Sequence, residues 1–106
     1  MKYKLTDEKM EYYGRTLHRI QALKDFDLVE AGDLGGWIQS ERNLSQEGNC
    51  WVYDKAKVFD NALVSDNVRV FENACVFENA RVLGNARVFG VADVYGDTKI
   101  KNGFVR

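Results

Sequence analysis

The 106 residues contain no proline, one histidine and two cysteines. With no proline, changes of chain direction fall to glycine, asparagine and acidic residues. A single histidine and two cysteines leave no cluster at metal-ligand spacing, so no metal site and no cofactor is expected. Charge is nearly balanced: 15 basic against 16 acidic side chains give a net −1. No bulk field therefore draws the chain to nucleic acid or to an anionic membrane. No apolar run has the length of a membrane span. The opening MKYKLTDEKM lacks the apolar segment of a signal peptide, so a cytoplasmic protein is expected, in a bacterium or an infected host cell. At this length one domain is expected, without room for a separate catalytic domain.

What the chain does have is repetition. Asn49 to Asn102 reads as nine six-residue units: NCWVYD, KAKVFD, NALVSD, NVRVFE, NACVFE, NARVLG, NARVFG, VADVYG and DTKIKN. The second position is small (Cys50, Ala56, Ala62, Val68, Ala74, Ala80, Ala86, Ala92, Thr98). The fourth is β-branched from Val52 to Ile100. These two positions share one face of an extended strand, because successive side chains alternate sides. Asp, Glu or Gly followed mostly by Asn then tolerates the tight conformations of a corner. Each unit is a short strand plus a corner, too small for its own core, and must stack on its neighbours. A helical array is excluded by the period of six and by the Val, Phe, Tyr and Asn content.

This pattern resembles the hexapeptide-repeat proteins. The resemblance implies an all-β, left-handed parallel β-helix in which three units make one triangular coil. Three strict coils follow, 49–66, 67–84 and 85–102, preceded by a degenerate coil over 37–48. In that coil Ile38, Leu44 and Cys50 are expected in the small column, with Ser40 and Gln46 replacing the branched residue. Residues 1–36 are expected to cap the amino-terminal end, with strands at 2–5 and 15–23 joined by the polar connection TDEKMEYYG. Residues 103–106 form a tail in which Phe104 is a thin lid over the last coil, leaving the carboxy-terminal edge the more exposed. The run GDLGGWI, with NLSQEGNCWVY after it, also resembles the lead-in of small phage, prophage and bacterial hexapeptide-repeat proteins of unsettled activity.

Stacking at 18-residue steps turns the outward positions into three faces. The first carries Trp51, Tyr53, Arg69, Phe71, Arg87 and Phe89; the second carries Phe59, Phe77 and Tyr95; the third lacks an aromatic column. Such rings stabilise neighbouring strands, and rings facing solvent on two sides also make association surfaces. The first face is the candidate interaction face, with the second face and the edge at Phe104 as further candidates. The expected partner is a second copy of the chain, as a closed trimer or an end-to-end dimer. A host protein is the alternative partner. Two arginines among the rings are too few to favour nucleic acid.

Cys50 is expected in the core and Cys75 as an exposed thiol on the opposite side of the wall, which excludes a disulfide. The acidic corners (Asp54 over Glu72, Asp60 over Glu78) offer oxygen ligands for calcium, but solvated turns are the better reading. Ice binding is excluded, since Thr98 is the only threonine of the strict units. The family resemblance brings acyltransferases and zinc anhydrases into view, which rely on histidines in or near the coils. His18 lies outside the coils, and no loop interrupts them to wall a pocket. The expectation is therefore a non-enzyme with no catalytic residue, acting as an interaction or scaffold protein. A phage-type inhibitor of a host defence protein and a degenerate acyltransferase are the alternatives.

Overall fold

The computed structural model describes residues 1–106. Strands β1 (Tyr3–Tyr12), β2 (Arg15–Ala22) and β3 (Leu34–Ile38) precede a 3-10 turn at Glu41–Asn43. Two-residue strands then follow at six-residue intervals: β4 (Trp51–Val52), β5 (Lys57–Val58), β6 (Leu63–Val64), β7 (Arg69–Val70), β8 (Cys75–Val76), β9 (Arg81–Val82), β10 (Arg87–Val88), β11 (Asp93–Val94) and β12 (Lys99–Ile100), with β13 (Phe104–Val105) after them. No α-helix is present, and therefore none that could cross a membrane. The strands stack in three parallel walls, β4-β7-β10-β13, β3-β5-β8-β11 and β6-β9-β12, with the β1-β2 hairpin joined antiparallel to β3. This is the left-handed parallel β-helix that the hexads imply. Amides bond to the coil above, as Lys57 N to Ala74 O (3.0 Å) and Phe59 N to Val76 O (3.0 Å).

The lumen is filled as the alternation requires. The small column from Cys50 to Ala92 and the branched column from Val52 to Val94 are buried throughout. Three valines meet across each coil, which leaves room only for small side chains between them at interior packing density.

The corners are left-handed. Asp54, Asp60, Asp66, Glu72 and Glu78 have φ between 56° and 59°, and Gly84, Gly90 and Gly96 between 65° and 69°. The acidic side chains are not merely solvated. Each accepts the corner amide 18 residues on: Asp54 from Glu72 N, Asp60 from Glu78 N, Asp66 from Gly84 N, Glu72 from Gly90 N and Glu78 from Gly96 N, at 2.8–3.1 Å. Those amides have no strand partner, and a carboxylate supplies a charge-assisted acceptor. This offsets the cost of about 1 kcal/mol for holding a side-chain-bearing residue in that conformation. Gly84, Gly90 and Gly96 take the same conformation with no side-chain cost.

Four expectations are corrected. The stretch TDEKMEYYG is mostly strand: β1 runs to Tyr12 with an irregularity between Leu5 and Lys9, and only Tyr13 (φ 49°) and Gly14 (φ 81°) turn. Two central residues with positive φ make the hairpin turn that matches strand twist. Second, Ile38 pairs with Val58 and Leu44 with Val64, so both sit in the branched column, 20 residues from their partners instead of 18. The two extra residues form the bend before Cys50, where Gln46 Oε1 accepts the amides of Lys2 (2.8 Å) and Tyr3 (3.2 Å) and docks the first strand. Third, Phe104 is no lid. It opposes Arg87, and Val105 opposes Val88, in a further rung reached one residue early. The shortened corner brings Lys101 O so close to Gly84 that no Cβ would fit there. Fourth, Cys75 is buried.

Candidate functional site

The amino-terminal cap does more than close an end, because it reaches down two of the three faces. On the second face the hairpin tip lies over the aromatic column. Tyr12 meets Phe59 edge-on at 5.6 Å, its hydroxyl is 3.9 Å from Cys75 Sγ, and Leu17 packs with both. Arg15 clamps the corner through Asp60, Nε to Oδ1 at 2.9 Å and Nη2 to Oδ2 at 3.1 Å, with its guanidinium 5.0 Å from the Phe59 ring. The expectation of solvent-facing rings is therefore corrected at Phe59, which is 3% exposed. Phe77 is half-buried in a stack between Phe59 (5.1 Å) and Tyr95 (5.5 Å), and Tyr95 is exposed.

On the first face the same holds for Trp51, which is 1% exposed under Tyr3 and Phe26. Phe26 and Val29 bond to each other across a tight loop that carries Asp27 and Leu28 over the wall. Asp27 Oδ2 accepts from Arg69 Nη2 (2.7 Å) and Nε (3.1 Å), fixing that guanidinium. Four of the six candidate residues on this face, Tyr53, Arg69, Phe71 and Arg87, line one groove of about 340 Å³ with Leu28 and Asp54. Phe89 lies beyond Phe71 in a near-parallel stack at 5.0 Å and meets Phe104 edge-on at 6.2 Å. Arg87 has no carboxylate partner. The Tyr53 hydroxyl is the one buried side-chain polar atom with no hydrogen-bond partner, and burial pushes its pKa up against the pull of Arg69.

The groove was partly legible in the repeat: the 18-residue step aligned Arg69 with Arg87. Asp27 and Leu28 come from a loop with no periodic signal. Lys2 was missed altogether. It is buried, with Nζ donating to the carbonyls of Cys50 (2.7 Å) and Gly48 (3.3 Å) and lying 3.3 Å from Cys50 Sγ. Asn43 is buried too, accepting from Gln39 N and Ser40 N and donating to Asp60 O and Ala62 O. His18 is half-buried in β2, opposite Lys9 and Ile38, and lines none of the grooves. An open polar groove of about 870 Å³ runs along the edge holding Asp60, Glu78 and Asp97, but no three His, Cys, Asp or Glu side chains converge as metal ligands.

The buried acids carry a pH dependence. Burial raises the pKa of Cys50, Cys75, Tyr3 and Tyr53 above the ordinary 9.0 and 10.0. Each stays protonated in the fold where the unfolded chain ionises, so its contribution is full below the ordinary value and is lost as pH rises. Lys2 acts the other way. Burial lowers its pKa from 10.5, so its contribution grows as pH rises towards that value. With these four groups, and Tyr12 raised in the same direction by burial, against Lys2 alone, the melting temperature should fall as pH is raised from 8 past 10, and more shallowly in Cys75→Ala. A flat profile in circular dichroism melts would contradict the burial of these groups.

No protein-family model matches the chain. Over an alignment of 62 positions that covers 51% of the chain, it is 42% identical to a protein of Escherichia coli (strain K12) named uncharacterized acetyltransferase YdcK. The chain spans about a fifth of that relative's length, the matched stretch covering 19% of it. The expectation of a non-enzyme is corrected by this finding. It rested on the histidines and pocket loops of a single stack of coils, whereas a protein bearing an acetyltransferase name shares such a stretch. The scaffold role loses its support with it, and the likeness to phage and prophage proteins gains nothing from the match.

Proposed function

We propose that the chain is the β-helix part of an acyltransferase of the hexapeptide-repeat type. In such a reaction an acceptor nitrogen or oxygen attacks the carbonyl carbon of a thioester, the C–S bond breaks, and the thiolate leaves as the acceptor's proton is removed. The observation that carries the reading is the 42% identity to an acetyltransferase-named protein over a stretch half as long as this chain. The stacked coils support it, because they give the rigid frame on which such a site is positioned. His18 lines no groove, so the reading assigns it no role as the base.

The test is calorimetric titration of the full chain with acetyl-coenzyme A, followed by a free-thiol release assay against a panel of small amines and alcohols. Saturable donor binding, with thiol release above donor hydrolysis for at least one acceptor class, is the expected result. Absence of donor binding at millimolar concentrations would overturn the reading. His18→Ala should leave donor binding unchanged.

A further inference from the structure

We propose that the first-face groove is a binding site for a small monocarboxylate with a flat apolar body. This does not rest on acyl transfer. Three features of the groove point to that chemistry. The first is the pair of guanidiniums. Asp27 holds Arg69 through Nε and Nη2 and so fixes one wall, while Arg87, one rung away, has no carboxylate of its own. A guanidinium with free donors matches the planar, two-oxygen geometry of a carboxylate.

The second is the Tyr53 hydroxyl, buried and without a partner. Buried polar groups in native proteins are almost always paired, and an orphan calls for an explanation, of which a bound water, ion or ligand is one. A carboxylate oxygen is an acceptor for a phenol donor. The hydroxyl is closed off from solvent, so a ligand must displace part of the wall to reach it. Leu28, 72% exposed on the loop, is the lining side chain with the least to hold it.

The third is shape and charge. Phe71 presents the face of a stacked pair, its ring within 5° of the Phe89 plane, as a flat apolar wall. The volume of about 340 Å³ lies at the small end of ligand pockets. Two arginines meet two aspartates around the groove, with Asp27 bonded to Arg69 and Asp54 accepting the Glu72 amide, so Arg87 is the charged group left without a bonded partner, which suits a single negative charge and opposes a second.

Sodium benzoate is the probe, and neutral benzamide its isostere. Saturable shifts in proton–nitrogen correlation spectra on benzoate addition, confined to the neighbourhood of Tyr53, Phe71 and Arg87, are expected. Tyr53→Phe and Arg87→Gln should each weaken binding roughly ten-fold, since each removes a donor to a charged acceptor. Tyr53→Phe should melt no lower than the parent, because it removes an unpaired buried group; this separates a binding role from a structural one. Benzamide binding as tight as benzoate, no saturable benzoate binding at tens of millimolar, or benzoate binding unaffected by both variants would each overturn the assignment.

Discussion

Val76→Asp is expected to unfold the domain. Val76 is fully buried in the branched column of the middle coil, paired with Val58 on one side and Val94 on the other, and no cationic group reaches the lumen there. An aspartate would have to be ionised without a partner or protonated without an acceptor. Either costs several kcal/mol, a large part of the roughly 5–15 kcal/mol that holds an ordinary domain together. Phe77→Ser, the next residue and facing outward, removes a half-buried ring from a stack and should cost about 1–2 kcal/mol. Chemical denaturation of the two variants checks the pair, and equal losses would show that the inward and outward columns do not differ in burial.

The second large effect is expected at the paired glycines before Trp37. A Cβ on Gly35 would sit 2.6 Å from Val52 O and 2.8 Å from Ile20 Cγ1; one on Gly36 would sit 2.6 Å from Ala56 O and 2.7 Å from Val52 Cγ1. The nearest obstacle in both cases is backbone that is bonded into the coil and cannot yield like a side chain. Gly35→Ala and Gly36→Ala should each cost about 2–3 kcal/mol as overpacking, and the double variant should fail to fold. Gly96→Ala is the control. That corner has a positive φ but nothing within 4 Å, so its cost should be limited to about 1 kcal/mol of backbone conformation. A Gly96→Ala loss as large as that at Gly36 would mean that conformation, and not space, decides these sites.

These positions also show what a sequence can and cannot carry. Val76 was readable because the period of six and the alternation of a strand together determine which side chains point inward. The same rule placed Tyr53, Arg69, Phe71 and Arg87 on one face. It failed wherever residues were gained or lost. The two additional residues before Cys50 moved Ile38 and Leu44 into another column, and the missing residue after Asn102 hid a strand at Phe104–Val105. It was also silent about burial from outside the repeat. Phe59, Trp51 and Cys75 point outward as expected, yet they are covered by Tyr12, Phe26 and Leu17, which reach them through tertiary contacts with no local signature. The acidic corners were legible as turns, but their acceptors lie 18 residues away, and only the stack shows that each carboxylate serves the coil that follows it.

That last feature bears on how such a stack can change in length. A corner carboxylate is addressed forwards, to an amide in the next coil. A duplicated copy of residues 49–66 inserted after Asp66 would still place Asp54, Asp60, Asp66 and their copies beneath an amide that needs each of them. A further coil laid over Gly90 and Gly96 would find no carboxylate at those corners, and its two exposed corner amides would turn to water, a loss of at most about 1 kcal/mol each. Duplication is therefore supported by side-chain acceptors in the acidic coils, and a coil added over the glycine corners gains no such support.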